Sequence, residues 1–334
     1  MAAAINTKPD FFDRIQIITE RYLTHRAKIQ NIKKEKQRKK SALADWIEAF
    51  IWAVCVVLLI NQYLFQAYQI PSGSMIDTLL VGDRIFVNKI VYGPEMLPGV
   101  AKLTSPIKPS RNDVIIFENP DYHSRGIVFD VVQRILYMMT FSIVDIDKDE
   151  AGKPKAHFLI KRAIGMPGDI IYNKRGDMYM RFAGEDRVVA ETVYNAQRGW
   201  KHNITRLMPA DGYPFLEAAG KTAAYTDMGI SVPSEILNLA RDGSSIYMED
   251  PDYITYETKR LEVLRAAFPQ EARFAKEYSR RVQGRYVPYT RILPLGDNRD
   301  NSHDGRYFGP VRISKILGKG SFKYWPVLRF GSIK

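Results

Sequence analysis

The sequence predicts a mainly β fold, barrel-like or sandwich-like, that is preceded by one transmembrane helix and interrupted by an inserted α+β subdomain. Three observations lead to this prediction: a long apolar stretch directly after a basic block, short β-branched runs separated by turn residues, and a change of pattern after residue 174. We therefore expect a basic segment over 1–45, a span over 46–66, a β core from 67–174 and 286–334, and an insertion over 175–285.

Composition limits the classes of protein to consider. The 334 residues are 46% hydrophobic and 12% aromatic, which is enough to bury a core. The single cysteine, Cys55, excludes an intrachain disulfide framework and a cysteine-based zinc site. We expect no metal and no cofactor. The net charge of +12 makes nucleic acid and anionic lipid the two partners to weigh.

The position of the charge favours lipid. Residues 1–45 hold 11 Lys/Arg against 5 Asp/Glu, and the densest block lies at 26–40. Directly after it, residues 49–60 contain no polar side chain, and 46–65 would form about 30 Å of helix, enough for a bilayer core. Basic residues beside one end of a span hold that end in the cytoplasm. We expect a single-pass protein of the cytoplasmic membrane, with anionic lipid at the basic segment, no nucleic acid bound, and an extracytoplasmic domain.

Two other interpretations of the apolar stretch deserve weight. Glu48, Asn61 and Gln62 are compatible with a buried core helix in a soluble protein. A cleaved signal peptide fits less well, because about 45 residues precede the apolar run and no A-x-A site follows it.

The outer part reads mainly as short strands with Gly, Pro, Asp and Asn between them. The predicted strands are Arg84–Val91, Val114–Phe117, His157–Ile160 and Asp169–Tyr172. Within the insertion, Pro269 to Val282 has a helical pattern, with Gly284 just past its end.

Residues 127–146 are unusually apolar and allow two interpretations. As a helix, Asp130, Gln133 and Arg134 would share one narrow face, with an i, i+4 ion pair between Asp130 and Arg134. The opposite apolar face would then lie on the outer leaflet or cap the β core. The alternative is an ordinary pair of buried strands.

The first of three polar segments is Gln69–Met75. Pro71 and Gly73 impose a tight backbone around Ser72 and Ser74, which can present a hydroxyl group. Taken alone, the segment also fits an ordinary Ser/Gly loop.

The second segment is Phe158–Asp169. In a strand, Leu159, Lys161 and Ala163 share one face. A lysine in such a row either extends its amine to water or is buried, and a buried neutral amine can act as a general base.

The third segment, Leu295–Val311, is dense in Asp, Asn, Arg and Gly. It resembles a calcium loop only in part, because Val311 stands where a glutamate is required, so a hydrogen-bonded polar turn is the better structural interpretation. His303 beside Asp304 is the only attractive histidine base, and no G-x-S-x-G elbow accompanies it.

Together the three segments resemble the bacterial type I signal peptidases, membrane-anchored serine peptidases with a Ser/Lys dyad. The resemblance rests on Ile70–Met75, Ile160–Asp169 and Gly296–Ser302, in this order and after a membrane span, with support from Gly82-Asp83 and Asn112–Phe117. It covers roughly 120 residues, and it does not extend to 1–45, 121–156 or 175–285. Asp77 and Gly305 depart from the residues common in the family, proline and serine.

The resemblance implies a role for each matching position. Ser74 would be the nucleophile and Lys161 the general base, Ser72 and the Ser74 N–H the oxyanion hole, and Ser302 the residue that orients the lysine. Two further sets follow from it. The substrate pocket would be lined by Ile70, Pro71, Leu79 and Ile160. The structural polar network would consist of Arg162, Asp297, Arg299, Asp304 and Arg306.

The function implied is removal of N-terminal signal peptides from exported preproteins after small residues of A-x-A type. One alternative is an inactive membrane-anchored binding or assembly protein on the same fold, which the intact Ser74, Lys161 and Ser302 argue against. A self-cleaving Ser/Lys repressor would need a soluble DNA-binding domain, whereas here the basic block adjoins a predicted span.

Overall fold

The computed structural model describes residues 11–39, 42–97, 101–140, 143–148, 152, 155–242 and 252–333. The chain divides into two compact units, with the boundary between Val57 and Leu58. Residues 1–10 and 40–41 of the predicted basic segment lie outside the described residues.

Two helices come first, α1 (Phe11–Lys39) and α2 (Ala42–Tyr63). Among the described residues, α2 is the one helix long and apolar enough to cross a membrane. It covers most of the predicted 46–66 span but begins and ends a few residues earlier.

The strands and the remaining helices follow in chain order. The strands are β1 (Phe65–Gln69), β2 (Arg84–Asn88), β3 (Glu95–Leu97), β4 (Ala101–Lys102), β5 (Val114–Glu118), β6 (Phe158–Gly165), β7 (Ile170–Lys174), β8 (Asp177–Arg181), β9 (Val188–Ala190), β10 (Arg285–Tyr286), β11 (Arg291–Leu295), β12 (Val311–Arg312), β13 (Ile316–Trp325) and β14 (Gly331–Ser332). The helices are α3 (Ile127–Met139), α4 (Glu191–Gln197), α5 (Tyr213–Asp227), α6 (Ser234–Asp242), α7 (Tyr253–Ala267), α8 (Ala272–Val282) and α9 (Gly305–Phe308).

The main sheet contains eight strands in the order β1-β2-β13-β5-β6-β11-β12, with β14 paired to β13. Every pairing in it is antiparallel. Because β1 and β12 are not paired to each other, the sheet is a curled half-barrel rather than a closed barrel. The prediction of a mainly β core is confirmed.

The predicted strands agree with the observed ones. Arg84–Val91 is shortened to β2, because a 3₁₀ turn begins at Ile90, whereas His157–Ile160 is lengthened to β6. The other two predicted strands correspond to β5 and β7 within two residues at each end.

The sheet is covered on both faces. Along β5, Val114 and Ile116 pack in one hydrophobic cluster, and Ile115 and Phe117 pack in another. Side chains alternate across a strand, so an uninterrupted apolar run such as Val114–Phe117 indicates a strand buried on both faces.

A second sheet, in the order β10-β7-β8-β9, contacts helices α4, α7 and α8, while α5 packs on α7 and α6 packs on α5. This region includes the predicted insertion, of which residues 243–251 lie outside the described part. Helix α8 begins at Ala272, so Pro269 precedes the helix instead of occupying its first turn. Gly284 follows α8 with a φ of +83°, which only glycine adopts without strain. The division into a core and an inserted subdomain remains a prediction.

Residues 127–139 form helix α3, so the strand-pair interpretation is wrong for this stretch. The predicted ion pair within the helix is also wrong: Arg134 Nη1 lies 3.4 Å from a carboxylate oxygen of Glu95, while Asp130 accepts a hydrogen bond from Ser124. Both side chains find partners outside the helix. Residues 141–142 of the 127–146 segment lie outside the described residues.

Candidate active site

Ser74 lies in a 3₁₀ turn, Gly73–Met75, in the loop between β1 and β2. The loop is closed at its base, where the N–H of Ile70 donates to the carbonyl of Asp83 at 2.8 Å. The buried carboxylate of Asp83 in turn accepts two hydrogen bonds from Arg329, at 2.6 and 2.7 Å. A short turn on a fixed base therefore carries the serine, which is buried.

Lys161 lies on β6, between β5 and β11, and its side chain reaches Ser74. Nζ of Lys161 is 2.6 Å from Oγ of Ser74 and also donates to the carbonyl of Ile160 at 3.1 Å. Only 4% of Lys161 is exposed. The structure brings together the two residues that the sequence singled out, 87 positions apart.

Burial lowers the pKa of Lys161 from 10.5 to about 8. The carboxylates of Asp304 and Asp297 partly oppose this effect, since nearby negative charge favours the ammonium form. Arg306 adds a smaller effect in the same direction as burial. The result is an amine that gives up its proton far more readily than an exposed lysine does.

Arg162, the next residue of β6, has a different partner because successive side chains of a strand point to opposite sides. Its guanidinium makes a bidentate contact with Asp297, with Nε to Oδ1 at 2.8 Å and Nη2 to Oδ2 at 2.7 Å. Both side chains are fully buried. Burial alone would raise the pKa of Asp297, but Arg162 outweighs it and holds the pKa below its ordinary value.

The loop after β11 is built around a second buried ion pair, Arg306 with Asp304, at 2.9 Å. The Asp304 carboxylate also accepts the N–H of Gly296 at 2.9 Å. Burial would raise the pKa of Asp304, and the charge and hydrogen bonds of Arg306 instead lower it. Arg299, another residue of the predicted network, donates to the Gly296 carbonyl at 2.8 Å.

Gly296 lies where the loop after β11 approaches the turn that carries Ser74. A Cβ on this residue would lie 2.6 Å from the carbonyl oxygen of Ser74 and 2.2 Å from Oγ of Ser302. Contacts this short do not occur in folded proteins, so the close approach of the loop to Ser74 requires glycine here.

Ser302 is buried, whereas Ser72 is exposed. Ser302 is buried, and its Oγ has no hydrogen-bond partner among the described residues, so the predicted bond to Lys161 is not formed in this structure. The amine of Lys161 is occupied by Ser74 and the Ile160 carbonyl instead. Ser72 is exposed, and its hydroxyl lies 3.4 Å from Oγ of Ser74.

The predicted pocket residues are unequally accessible. Ile70 and Leu79 are buried in the cluster that also contains Met75, and Ile160 packs against it half-buried. Pro71 is exposed. Leu79 has no exposed surface, so it can support the residues that line a pocket but cannot line the pocket itself.

Sequence reasoning missed several residues that hold the site together. Asn298 donates from its backbone N–H to the Ser74 carbonyl and from Nδ2 to the Gly73 carbonyl, both at 3.1 Å. Thr78 donates to Asp297 at 2.6 Å. Asn298 lies inside a quoted motif, so its amide was available as a signal, whereas nothing in the local sequence marks Thr78.

Two contacts come from the region outside the motifs. Glu191 binds Arg299 through both carboxylate oxygens, at 2.6 and 2.7 Å. Asp300 accepts the backbone N–H groups of Leu207 and Met208, at 2.6 and 2.9 Å. No spacing rule could have paired these residues, because 92 or more positions separate the partners.

His303 is not a partner of the candidate nucleophile. Its Nε2 lies 2.9 Å from the carboxylate of Asp121, and both side chains are exposed. The Ser-His-Asp interpretation of the third segment therefore has no support from the geometry.

Comparison with known proteins adds an independent finding. The family model described as "Signal peptidase, peptidase S26" matches residues 43–325. Similar proteins named signal peptidase I include one from Buchnera aphidicola, 26% identical over 87% of this chain and 77% of that protein, and one from Pseudomonas aeruginosa, 27% identical over 85% and 69%. Another, from Aquifex aeolicus, is 25% identical over 84% of this chain and 82% of its own length.

Proposed function

This chain belongs to the signal peptidases of the peptidase S26 family, which are serine endopeptidases, and we propose that it removes N-terminal signal peptides from exported preproteins with Ser74 as nucleophile and Lys161 as general base. The observation that carries the proposal is the buried 2.6 Å contact between Nζ of Lys161 and Oγ of Ser74. A general base must lie within this distance of the proton that it removes.

The first step needs the amine in its neutral form. With a pKa of about 8, roughly one lysine in ten is neutral at pH 7, compared with fewer than one in a thousand for an exposed lysine. The neutral amine takes the proton of the Ser74 hydroxyl while Oγ attacks the scissile carbonyl carbon. A tetrahedral intermediate with a negatively charged oxygen results.

The intermediate then collapses to an ester. The ammonium of Lys161 returns its proton to the nitrogen of the leaving peptide, the C–N bond breaks, and the mature protein departs. A water molecule enters, the again neutral amine removes its proton, and the hydroxide attacks the ester. Expulsion of the Ser74 oxygen, which takes the proton back, releases the signal peptide with a free carboxylate.

We assign stabilisation of the oxyanion to the Ser74 N–H and the Ser72 hydroxyl. The position of Ser72, exposed and 3.4 Å from the nucleophile oxygen, is compatible with donation to an atom bound at Ser74. One such donor is commonly worth about 3–4 kcal/mol in the transition state. Ser302, whose buried hydroxyl has no partner in the part of the chain that the structure describes, would take up a bond to Lys161 when the amine gains its proton.

The location of the site suits a membrane-inserted substrate. Ser74 follows the end of α2 by eleven residues, so an anchored α2 keeps the nucleophile within about 40 Å of the membrane surface. A signal peptide presents its cleavage site just beyond an apolar segment and ends in small residues of A-x-A type. We infer a cytoplasmic N-terminus and an extracytoplasmic site, because the basic residues precede the span.

The test is cleavage of a purified preprotein by the detergent-solubilised full chain. We expect Ser74→Ala to abolish cleavage, while Ser231→Ala, a change at an exposed loop serine, leaves the rate unchanged. Cleavage by the Ser74→Ala protein at the unmodified rate would refute the assignment. A folded but wholly inactive unmodified protein would instead favour the alternative of a binding or assembly protein.

A further inference from the structure

Helix α3 has its polar residues turned toward the protein. Gln133 is buried and donates to Asp145 at 2.9 Å, and Asp130 accepts the hydroxyl of Ser124 at 2.5 Å. Arg134 pairs with Glu95. The hydrogen-bonding capacity of the helix is thus directed inward.

The opposite side of α3 is apolar and faces solvent. We call it the outer face of α3, and it consists of Val128, Val131, Val132, Ile135 and Leu136. Val128 is 79% exposed, and the other four are between 36% and 46% exposed. At 100° per residue these five positions fall within an arc of roughly 140°. A continuous aliphatic surface of this kind marks a contact with a membrane or a partner.

The helix is connected to the end of α2 by a short chain of contacts. Glu95, the ion-pair partner of Arg134, accepts the side-chain amide of Gln62 at its carbonyl, at 2.9 Å. The next carbonyl, of Met96, accepts the hydroxyl of Tyr63 at 3.3 Å. Because Gln62 and Tyr63 form the last turn of α2, the same short strand contacts both helices.

A second set of contacts places α3 beside the catalytic strand. The ring of Tyr137 packs on that of Tyr68 in β1, with centroids 6.0 Å apart. The guanidinium of Arg134 lies 5.2 Å from the ring of Phe158, which begins β6 three residues before Lys161. Any surface that holds α3 in place therefore also fixes the start of β6.

We propose that the outer face of α3 rests on the outer leaflet of the bilayer that α2 spans, as a second membrane contact of the catalytic part. The proposal rests on the membrane anchoring assigned under the proposed function. It commits to lipid because the outer face is wholly aliphatic and exposed basic residues adjoin it. Arg125, near the start of the helix, remains 45% exposed although it pairs with Asp147 at 3.1 Å, and it donates to the carbonyl of the exposed Lys148. Basic residues beside an aliphatic face are suited to the headgroup region.

The decisive experiment measures membrane depth in the full chain. In a Cys55→Ser background, Val132→Cys carries an environment-sensitive fluorophore, and the protein is placed in vesicles of equal parts phosphatidylcholine and phosphatidylglycerol with nitroxide-labelled lipid. We expect quenching and a blue shift at position 132. The matched control is Val193→Cys, an exposed valine of α4, from which we expect neither. A label at position 132 that is quenched no more than at 193 would overturn the proposal.

A second variant separates docking from catalysis. Val132→Asp with Ile135→Asp should lower cleavage of a membrane-inserted preprotein several-fold and leave cleavage of a short soluble peptide unchanged. Equal rates on the inserted preprotein would contradict the proposal. An unmodified protein inactive on both substrates would refute the proposed function, yet the quenching result would still report on α3.

Two other occupants of the outer face give different signals in the same vesicles. Protection of the label only after preprotein is added would mean that the substrate covers this face. Self-quenching between labelled molecules would mean that a second copy covers it. Either result would replace the membrane contact.

Discussion

Glu191 and Arg299 form a buried bidentate ion pair that joins α4 to the loop carrying the polar network. Both carboxylate oxygens lie within 2.7 Å of Nη2 of Arg299, and neither side chain is more than 3% exposed. The same guanidinium donates to the carbonyl of Gly296. Glu191 thus acts on the site from a region that the sequence motifs do not reach.

The first prediction is that Glu191→Gln destabilises the protein. Removing one charge of a buried pair leaves the other uncompensated, which costs on the order of 3–5 kcal/mol. We expect a lower melting temperature in detergent and a lower kcat. The control is Glu185→Gln at an exposed position six residues earlier. Equal melting temperatures for the two variants would show that the pair contributes nothing.

The second prediction concerns the pH dependence of cleavage. With Lys161 as the proposed general base, its neutral amine is the reactive form, and its pKa is about 8, so kcat/KM should rise tenfold per pH unit below that value and level off above it. The measurement is a pH profile with a short peptide, so that chemistry limits the rate. A rate independent of pH between 6 and 9 would contradict the assigned base.

The third prediction concerns the pH dependence of stability. The unfolded chain keeps Lys161 protonated up to about pH 10.5, while the folded chain releases this proton near 8, so the unfolded state binds more protons between these values. This residue should therefore make the folded protein more stable, by up to about 3 kcal/mol, as the pH rises through that window.

The comparison for this effect is Lys161→Met, which removes the amine and keeps an unbranched apolar side chain. The variant should be inactive and, relative to the unmodified protein, most stabilised at neutral pH. Lys201→Met, at an exposed lysine, should change neither activity nor the pH dependence. The prediction is wrong if the difference in free energy of unfolding between Lys161→Met and the unmodified protein does not change with pH. Lys161 would then be charged to the same extent in the folded and the unfolded chain.

The fourth prediction is that Gly296→Ala impairs catalysis strongly. The new methyl group would lie 2.6 Å from the Ser74 carbonyl, so the turn that carries Ser74 or the loop after β11 must move. Gly331→Ala is the matched control, since nothing lies within 4 Å of a Cβ there. Steady-state kinetics should show a loss of kcat for the first variant alone, and comparable kcat values would mean that the two segments can separate without cost.

The fifth prediction is that Asp297→Asn unfolds the protein more easily. The amide cannot compensate the buried charge of Arg162, and we expect a loss of about 3–5 kcal/mol. The folded pKa of Asp297 is lowered, so its contribution is present above the ordinary carboxyl pKa of about 4 and disappears as the pH falls below it. Asp186→Asn, at an exposed aspartate, should have no such effect, and denaturant titration at neutral pH distinguishes the two.

The sequence was sufficient for the elements whose signal is local. Four strands and the helical nature of α2 and α8 follow from periodicity and turn residues, because each pattern lies within a short window. The Ser74–Lys161 pair was predicted from a resemblance and not from spacing, since no local rule joins residues 87 positions apart.

What the sequence could not predict depends on long-range geometry. The partners of Arg134 and Arg299 are Glu95 and Glu191, and neither carboxylate is near its arginine in the chain. The i, i+4 spacing predicted Asp130 as the ion-pair partner of Arg134, but in the structure Arg134 pairs with Glu95. Ser302 illustrates a different limit of sequence analysis. The motif predicts that its hydroxyl lies near the lysine, but the direction in which the hydroxyl points depends on how Ser302 packs against Gly296.

The strand order also sets a sequence of events during synthesis. β13 lies between β2 and β5, so within the main sheet the strands that flank the Ser74 loop are joined to the strand that carries Lys161 through this later strand. Residues 65–88 and 114–165, which contain these strands, are synthesised before residues 316–325. β2 and β5 therefore become parts of one continuous hydrogen-bonded ladder only after this late strand has been added between them.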